Sequence, residues 1–167
     1  LFTQGSHGYS FLRSKMMGFL DSLKQMGKDV STKLSNEVTK FKNKDFLNAV
    51  IAGCALVAAS DGTVSPEEKR KMFGFINNSD ELKVFDNADV IESFNKITSK
   101  FEFDYEIGKA EALKTIAKLK SNPAAAKLMV RVCCVIGASD GNFDHNEKQT
   151  VRTICRELGI DASEFDL

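Results

Sequence analysis

The chain writes the same turn twice. ASDGTVSPEEKRK runs from Ala59 to Lys71, and ASDGNFDHNEKQT runs from Ala138 to Thr150, 79 positions later. Each copy places Asp-Gly at the end of an apolar helical stretch and a glutamate, Glu68 or Glu147, in the first turn of the next helix. Glycine releases the chain from one helix, and the following cap residue, Ser65 or Asp144, starts another. A chain punctuated in this way folds as helices joined by short turns. The correspondence extends beyond the turn: Asn43 matches Asn122 as a cap, Cys54 matches Cys133, Val64 matches Phe143, Met72 matches Val151 and Phe75 matches Ile154. The offset is too long for a solenoid repeat. It predicts an internal duplication, with two αα-hairpins packed about a pseudo-twofold axis in one domain.

The rest of the chain keeps the helical period. Leu12, Met16, Phe19, Leu23, Met26, Val30, Leu34, Val38 and Phe41 step by threes and fours and draw one apolar stripe, with a break expected near Gly27. Further helices are predicted from Asn43 to the Asp61-Gly62 stop, from Ser65, from Asp86 or Asn87, from Tyr105 to Lys120, after the Asn122-Pro123 start, and from Asp144 to Gly159. The fold class is therefore all-α: a single-domain helical bundle of about seven helices around one core. The opening LFTQGSHGYSFLRSK is expected to be partly foreign, because GSH is typical of an expression scar. Three parts follow: residues 1–15 as the scar, 16–42 as a basic amphipathic helical segment, and 43–167 as the helical domain.

Overall charge balances, with 23 Lys/Arg against 23 Asp/Glu, so nothing in it argues for a nucleic-acid partner. The balance hides an asymmetry, since residues 1–44 carry a net +5 and residues 45–167 a net −5. The basic segment holds Lys15, Lys24, Lys28, Lys33, Lys40, Lys42 and Lys44 beside Phe19, Leu20, Leu23 and Met26. Two readings fit it. The helix packs its stripe on the bundle, or it lies on an anionic membrane or a partner protein. No run of 18 apolar residues is present, so no span across a membrane is expected.

Capping explains most of the repeated turn. Ser65-Pro66-Glu67-Glu68 and Asp144-His145-Asn146-Glu147 both read as capping boxes, with Val64 and Phe143 as hydrophobic staples. It does not explain Asp61 and Asp140, whose carboxylates stand at the negative end of a helix. Two compensations are open. The carboxylate folds forward onto turn amides, or a cation sits between it and the incoming cap. Asp140, Asn142, Asp144 and Glu147 offer oxygen donors at alternating loop positions, as a divalent cation such as Ca or Mg requires. Asp61, Thr63, Ser65, Glu67 and Glu68 are the poorer equivalent. Neither is an EF-hand, whose closing glutamate falls at position twelve.

Catalytic sets are sparse. His7 lies in the foreign opening and His145 at the start of a helix, so a histidine-assisted nucleophile is not expected. Cys54, Cys133, Cys134 and Cys155 sit in apolar helical stretches without C-x-x-C spacing, and read as buried hydrophobes of a reducing cytosol. A thiol-dependent protein acting directly on an oxyanion is the competing function, and it requires an exposed thiol of low pKa.

KFKNKDF, ASDGTVSPEEKRKMFGFI, DELKVFDNADVIESFNK, FDYEIGKAE and SDGNFDHNEK together resemble the tellurite resistance protein TerB family, over most of the chain from about Met17 to Phe165. The resemblance implies an all-helical bundle with internal duplication. It implies a cytoplasmic bacterial stress-resistance component without enzymatic activity, associated with the inner membrane. It also implies two partners: an integral membrane protein, TerC, and calcium-binding TerD-type proteins. Carried onto this chain, its acidic turn positions are Asp61, Glu67, Glu68, Asp140, Asp144 and Glu147, with Ser65 standing where the second copy has aspartate. The function expected is an adaptor or sensor that holds a divalent metal at these turns and docks on a membrane partner.

Overall fold

A computed structural model describes residues 27–138 and 143–167. Among the described residues there are seven α-helices and no strand: α1 (Gly27–Lys40), α2 (Lys44–Ala58), α3 (Pro66–Asn77), α4 (Asn87–Phe103), α5 (Tyr105–Ala117), α6 (Pro123–Gly137) and α7 (His145–Leu158). Two 3-10 turns, Asp80–Leu82 and Ala162–Phe165, complete the elements among the described residues. The expected residues 1–15, the segment 16–26 and the turn residues 139–142 lie outside the described residues.

Helix α2 is the axis of the bundle. Its sequence, KDFLNAVIAGCALVA, is apolar nearly all round, which is the signature of a helix covered on every side. Phe46, Leu47, Val50, Ile51, Cys54 and Val57 are all buried, and α3, α4, α5, α6 and α7 each pack against it. Asn43 caps it by accepting from the Phe46 amide at 2.8 Å. Asn122, the matching residue of the second half, accepts from the Ala125 amide at 3.2 Å, and Pro123 follows at the first helical position. Helix α6 then buries Leu128, Met129, Val130, Val132, Cys133 and Cys134.

Close helix approach depends on two glycines. A Cβ on Gly53 of α2 would stand 2.6 Å from Cys133 Sγ of α6, so the bare glycine is what leaves room for the Cys133 side chain between the two helices. At the α4–α5 corner a Cβ on Gly108 would fall 2.7 Å from the backbone Cα of Phe101. That corner is one residue long. The Asp104 amide donates to Lys100 at 3.0 Å and ends α4, while its side chain accepts from the Ile107 amide at 3.0 Å and starts α5.

Two helices end earlier than expected, and one of them is α2, which stops at Ala58 instead of running to the Asp61-Gly62 stop. Tyr105 to Lys120 was predicted as continuous, but α5 stops at Ala117. Leu119 and Lys120 bond back only three residues, to Ile116 and Ala117, both at 3.0 Å. The chain tightens there because Asn122-Pro123 must open the next helix two residues later. The repeat is also imperfect in its packing. Met72 and Val151 are both buried, but Ile154 is buried while Phe75 is only half-buried, and α3 inserts Ile76 instead.

Helix α1 uses its apolar stripe inside the bundle. Leu34 and Val38 are buried, and Phe41 packs beside Phe46 with ring centroids 6.3 Å apart. Of the predicted basic set, Lys33, Lys40, Lys42 and Lys44 are exposed. Lys28 lies in α1, whereas Lys15 and Lys24 are outside the described residues.

Candidate functional site

The two Asp-Gly turns are built from the ends of the four helices α2, α3, α6 and α7. At the first, α2 unwinds through Ala59 and Ser60, and Gly62 takes φ +95°, a backbone conformation that favours glycine. Asp61 is exposed, and its Oδ1 accepts the Thr63 amide at 3.1 Å. This is the forward-folded Asx arrangement, one of the two compensations open from the sequence. It sets the carboxylate against the partial positive charge of a turn amide. Val64 packs on the core, Ser65 accepts the Lys69 amide at 2.9 Å on its carbonyl, and exposed Glu67 lies in the first turn of α3 with Glu68 next to it in sequence.

At the second turn the described portion begins at Phe143, which also packs on the core. The capping box is complete. Asp144 Oδ1 accepts the Glu147 amide at 2.8 Å, and Glu147 Oε2 accepts the Asp144 amide at 2.7 Å. Asp144 is exposed and Glu147 half-buried. A carboxylate offers about four acceptor sites, so one capping bond does not exhaust the donor oxygens of Asp144. Asp140 and Asn142, the other two expected ligands, lie outside the described residues. Among the described residues no three His, Cys, Asp or Glu side chains stand together as a metal-binding group.

The thiols form a separate constellation that the sequence did not place. Cys54, Cys133, Cys134 and Cys155 are all free and buried, on α2, α6 and α7. Cys54 and Cys133, equivalent in the repeat, are neighbours across α2 and α6. Their equal spacing from the two Asp-Gly turns was the signal that could have paired them. Cys133 Sγ also lies 3.5 Å from the Val50 carbonyl oxygen and 3.5 Å from Met129 Sδ. The neighbouring Cys54 thiol, reinforced by burial, pushes the Cys133 thiol well up from its ordinary range. Burial and the neighbouring Cys155 and Cys54 push Cys134 up to about 12. Burial, with the Glu164 and Asp161 carboxylates nearby, pushes Cys155 up to about 11. Thiols in this state are protonated and shielded at neutral pH, the opposite of a reactive cysteine.

Near the C-terminus Asp161 accepts the Ser163 amide at 3.0 Å, and that bond, with the Ser163 hydroxyl, holds its carboxyl below the usual range. No helix among the described residues is long and apolar enough to cross a membrane.

Comparison with known proteins agrees with the resemblance drawn from the motifs. The family described as tellurite resistance protein TerB matches residues 47–167, from within α2 to the last residue. The chain is 47% identical over 116 residues to the tellurium resistance protein TerB of Alcaligenes sp., a match that covers 70% of this chain and 95% of that relative. No solved structure matches it. An α2-centred bundle of the expected class, matched from within α2 to the last residue, makes this chain a member of the tellurite resistance protein TerB family.

Proposed function

We propose that the protein is a non-enzymatic component of a bacterial tellurite-resistance response, an adaptor or sensor rather than a chemical detoxifier. In this reading the Asp-Gly turns hold a divalent cation, Ca or Mg, and the basic N-terminal side docks on a membrane partner. The partner classes are an integral membrane protein of TerC type and calcium-binding proteins of TerD type, with the protein in the cytoplasm at the inner membrane. Family membership supports the resistance role. The observation that carries the adaptor reading is the state of the thiols. The competing mechanism needs an exposed sulfur of low pKa, and every cysteine here is buried, three of them with the thiol pushed up. What remains accessible is charge: exposed Asp61, Glu67 and Asp144 at the turns, and exposed Lys33, Lys40, Lys42 and Lys44 along the α1 side.

The cation reading is tested by calcium and magnesium titration followed by NMR. Binding gives saturable shifts in the amides around Asp61, Asp140, Asp144 and Glu147, abolished by Asp140→Asn with Asp144→Asn while the spectrum stays dispersed. If no amide of either turn responds, these residues are helix caps and nothing more. Docking is tested by co-sedimentation with anionic vesicles of the intact chain and of a variant with Lys33, Lys40, Lys42 and Lys44 changed to Gln. Leu34 and Val38 remain in place, so the bundle is preserved. Equal pelleting of the two proteins removes the basic face from the mechanism.

A further inference from the structure

Residues of α4, α5 and α2 line an open pocket that neither the turns nor the thiols account for. Ser93, Lys96 and Lys100 recur on α4 at intervals of three and four, so they share one face. Thr115 of α5 and Lys118, the residue that caps its C-terminal end, face the same opening, and Asn48 of α2 lines it as well. The volume is about 70 Å³. A single water needs only ~10–15 Å³ of such space, so the pocket admits a solute of a few heavy atoms.

The lining is cationic and hydrogen-bonding. It carries three ammonium groups against one carboxylate, Glu111. Lys118 also approaches Asp45, at 3.9 Å, which is beyond hydrogen-bond distance. Among the described residues Lys96 and Lys100 have no ion-pair partner. Ser93 is the second, independent observation. It is only 8% exposed, yet among the described residues its hydroxyl has no hydrogen-bond partner, while no fully buried side-chain oxygen is left unsatisfied. Its oxygen therefore reaches the opening. Nearby hydroxyls behave differently: Thr98 donates to the Phe94 carbonyl at 2.8 Å, and Ser99 to the Lys96 carbonyl at 2.9 Å. Ser93 thus presents a hydroxyl that is free to donate into the cationic pocket.

We infer that this pocket binds a small inorganic oxyanion, with Lys96, Lys100 and Lys118 supplying charge and Ser93 and Asn48 supplying directional hydrogen bonds. Ammonium groups favour a compact, multiply charged ligand, and charge-assisted bonds are the stronger class. Two sources share this chemistry, phosphate and the tellurium oxyanion for which the family is named.

The test is NMR titration of the intact protein at constant ionic strength, with inorganic phosphate in one arm and tellurite in the other. Binding of either anion produces saturable shifts centred on Asn48, Ser93 and Thr115. The arm with the tighter binding identifies the source. Lys96→Gln with Lys100→Gln weakens that binding by roughly tenfold, equivalent to about 1.4 kcal/mol, and Ser93→Ala weakens it without removing charge. Both lysines are exposed, so their replacement leaves the core untouched. Shifts that never saturate in either arm, or a loss of less than threefold in the double-lysine variant, overturn the assignment.

Discussion

Cys133 Sγ occupies the space in which a side chain on Gly53 would begin, 2.6 Å from its first carbon. The two residues lie on α2 and α6, so one thiol and one missing side chain set how closely these helices meet. Gly53→Ala is expected to destabilise the fold by about 1–3 kcal/mol through overpacking, less roughly 1 kcal/mol regained from helix propensity. Removing the sulfur should relieve the clash. In a Cys133→Ala background the Gly53→Ala change becomes markedly less costly, and a double-mutant cycle by urea unfolding reads that coupling directly.

Gly108 admits no such relief. Besides Phe101 ring atoms at 2.5 and 2.7 Å, the Phe101 Cα, which belongs to the backbone, stands in the way at 2.7 Å. Gly108→Ala should therefore cost about 1–3 kcal/mol or more, and shortening Phe101 to leucine should restore little of it. Thermal unfolding of the single and double variants distinguishes the two outcomes.

Asp144 joins α7 to its turn through a reciprocal pair of bonds with Glu147. Asp144→Ala is expected to lose about 1 kcal/mol of stability, whereas Asp144→Asn keeps the acceptor oxygen and most of the cap. Because the asparagine variant stays folded, any loss of calcium response in it reports on the ion and not on the helix. Urea midpoints measured beside the titration keep the two effects apart.

The buried thiols set an alkaline limit. The folded pKa values of Cys133, Cys134 and Cys155 lie above the unfolded ones, so the native state holds protons that the unfolded chain releases. That stability is fully present below the unfolded value of about 8.5 and drains away as pH rises towards the folded values of about 11 for Cys155 and about 12 for Cys134. Replacing Cys134 and Cys155 by alanine should flatten the decline between pH 9 and 11, approximately, at the expense of a lower plateau near neutrality. Guanidinium melts across that range provide the measurement.

The same burial predicts a slow thiol reagent. Under native conditions a disulfide reagent should label the four cysteines only as fast as the bundle opens, and all four at once after denaturation. Rapid stoichiometric labelling of one native thiol would return the detoxifying mechanism to consideration.

Helix number, caps and core were readable from the sequence because each rests on local chemistry. Asn43, Asp86, Asn122 and Asp144 announce their helices within a few residues, and all four accept the expected amides. The Tyr105–Lys120 helix was overextended because periodicity persists through Leu119 after the hydrogen bonding has shortened. Asp61 was readable only as a choice, since an Asx turn and an ion site begin from the same residue. The cationic pocket was not readable at all. Its lining comes from three helices, and the spacing of Ser93, Lys96 and Lys100 along α4 looks like any solvated face until α5 and α2 are set against it.

The single residue at the α4–α5 corner leaves no slack between those helices. Adding or deleting one residue beside Asp104 would rotate the whole of α5 by about 100° relative to α4 and sweep Thr115 and Lys118 off the side they share with Ser93. Lineages of this protein can thus vary the corner by exchanging one amino acid for another, but not by changing its length. Natural insertions should accumulate elsewhere, in longer connections such as the one between α3 and α4.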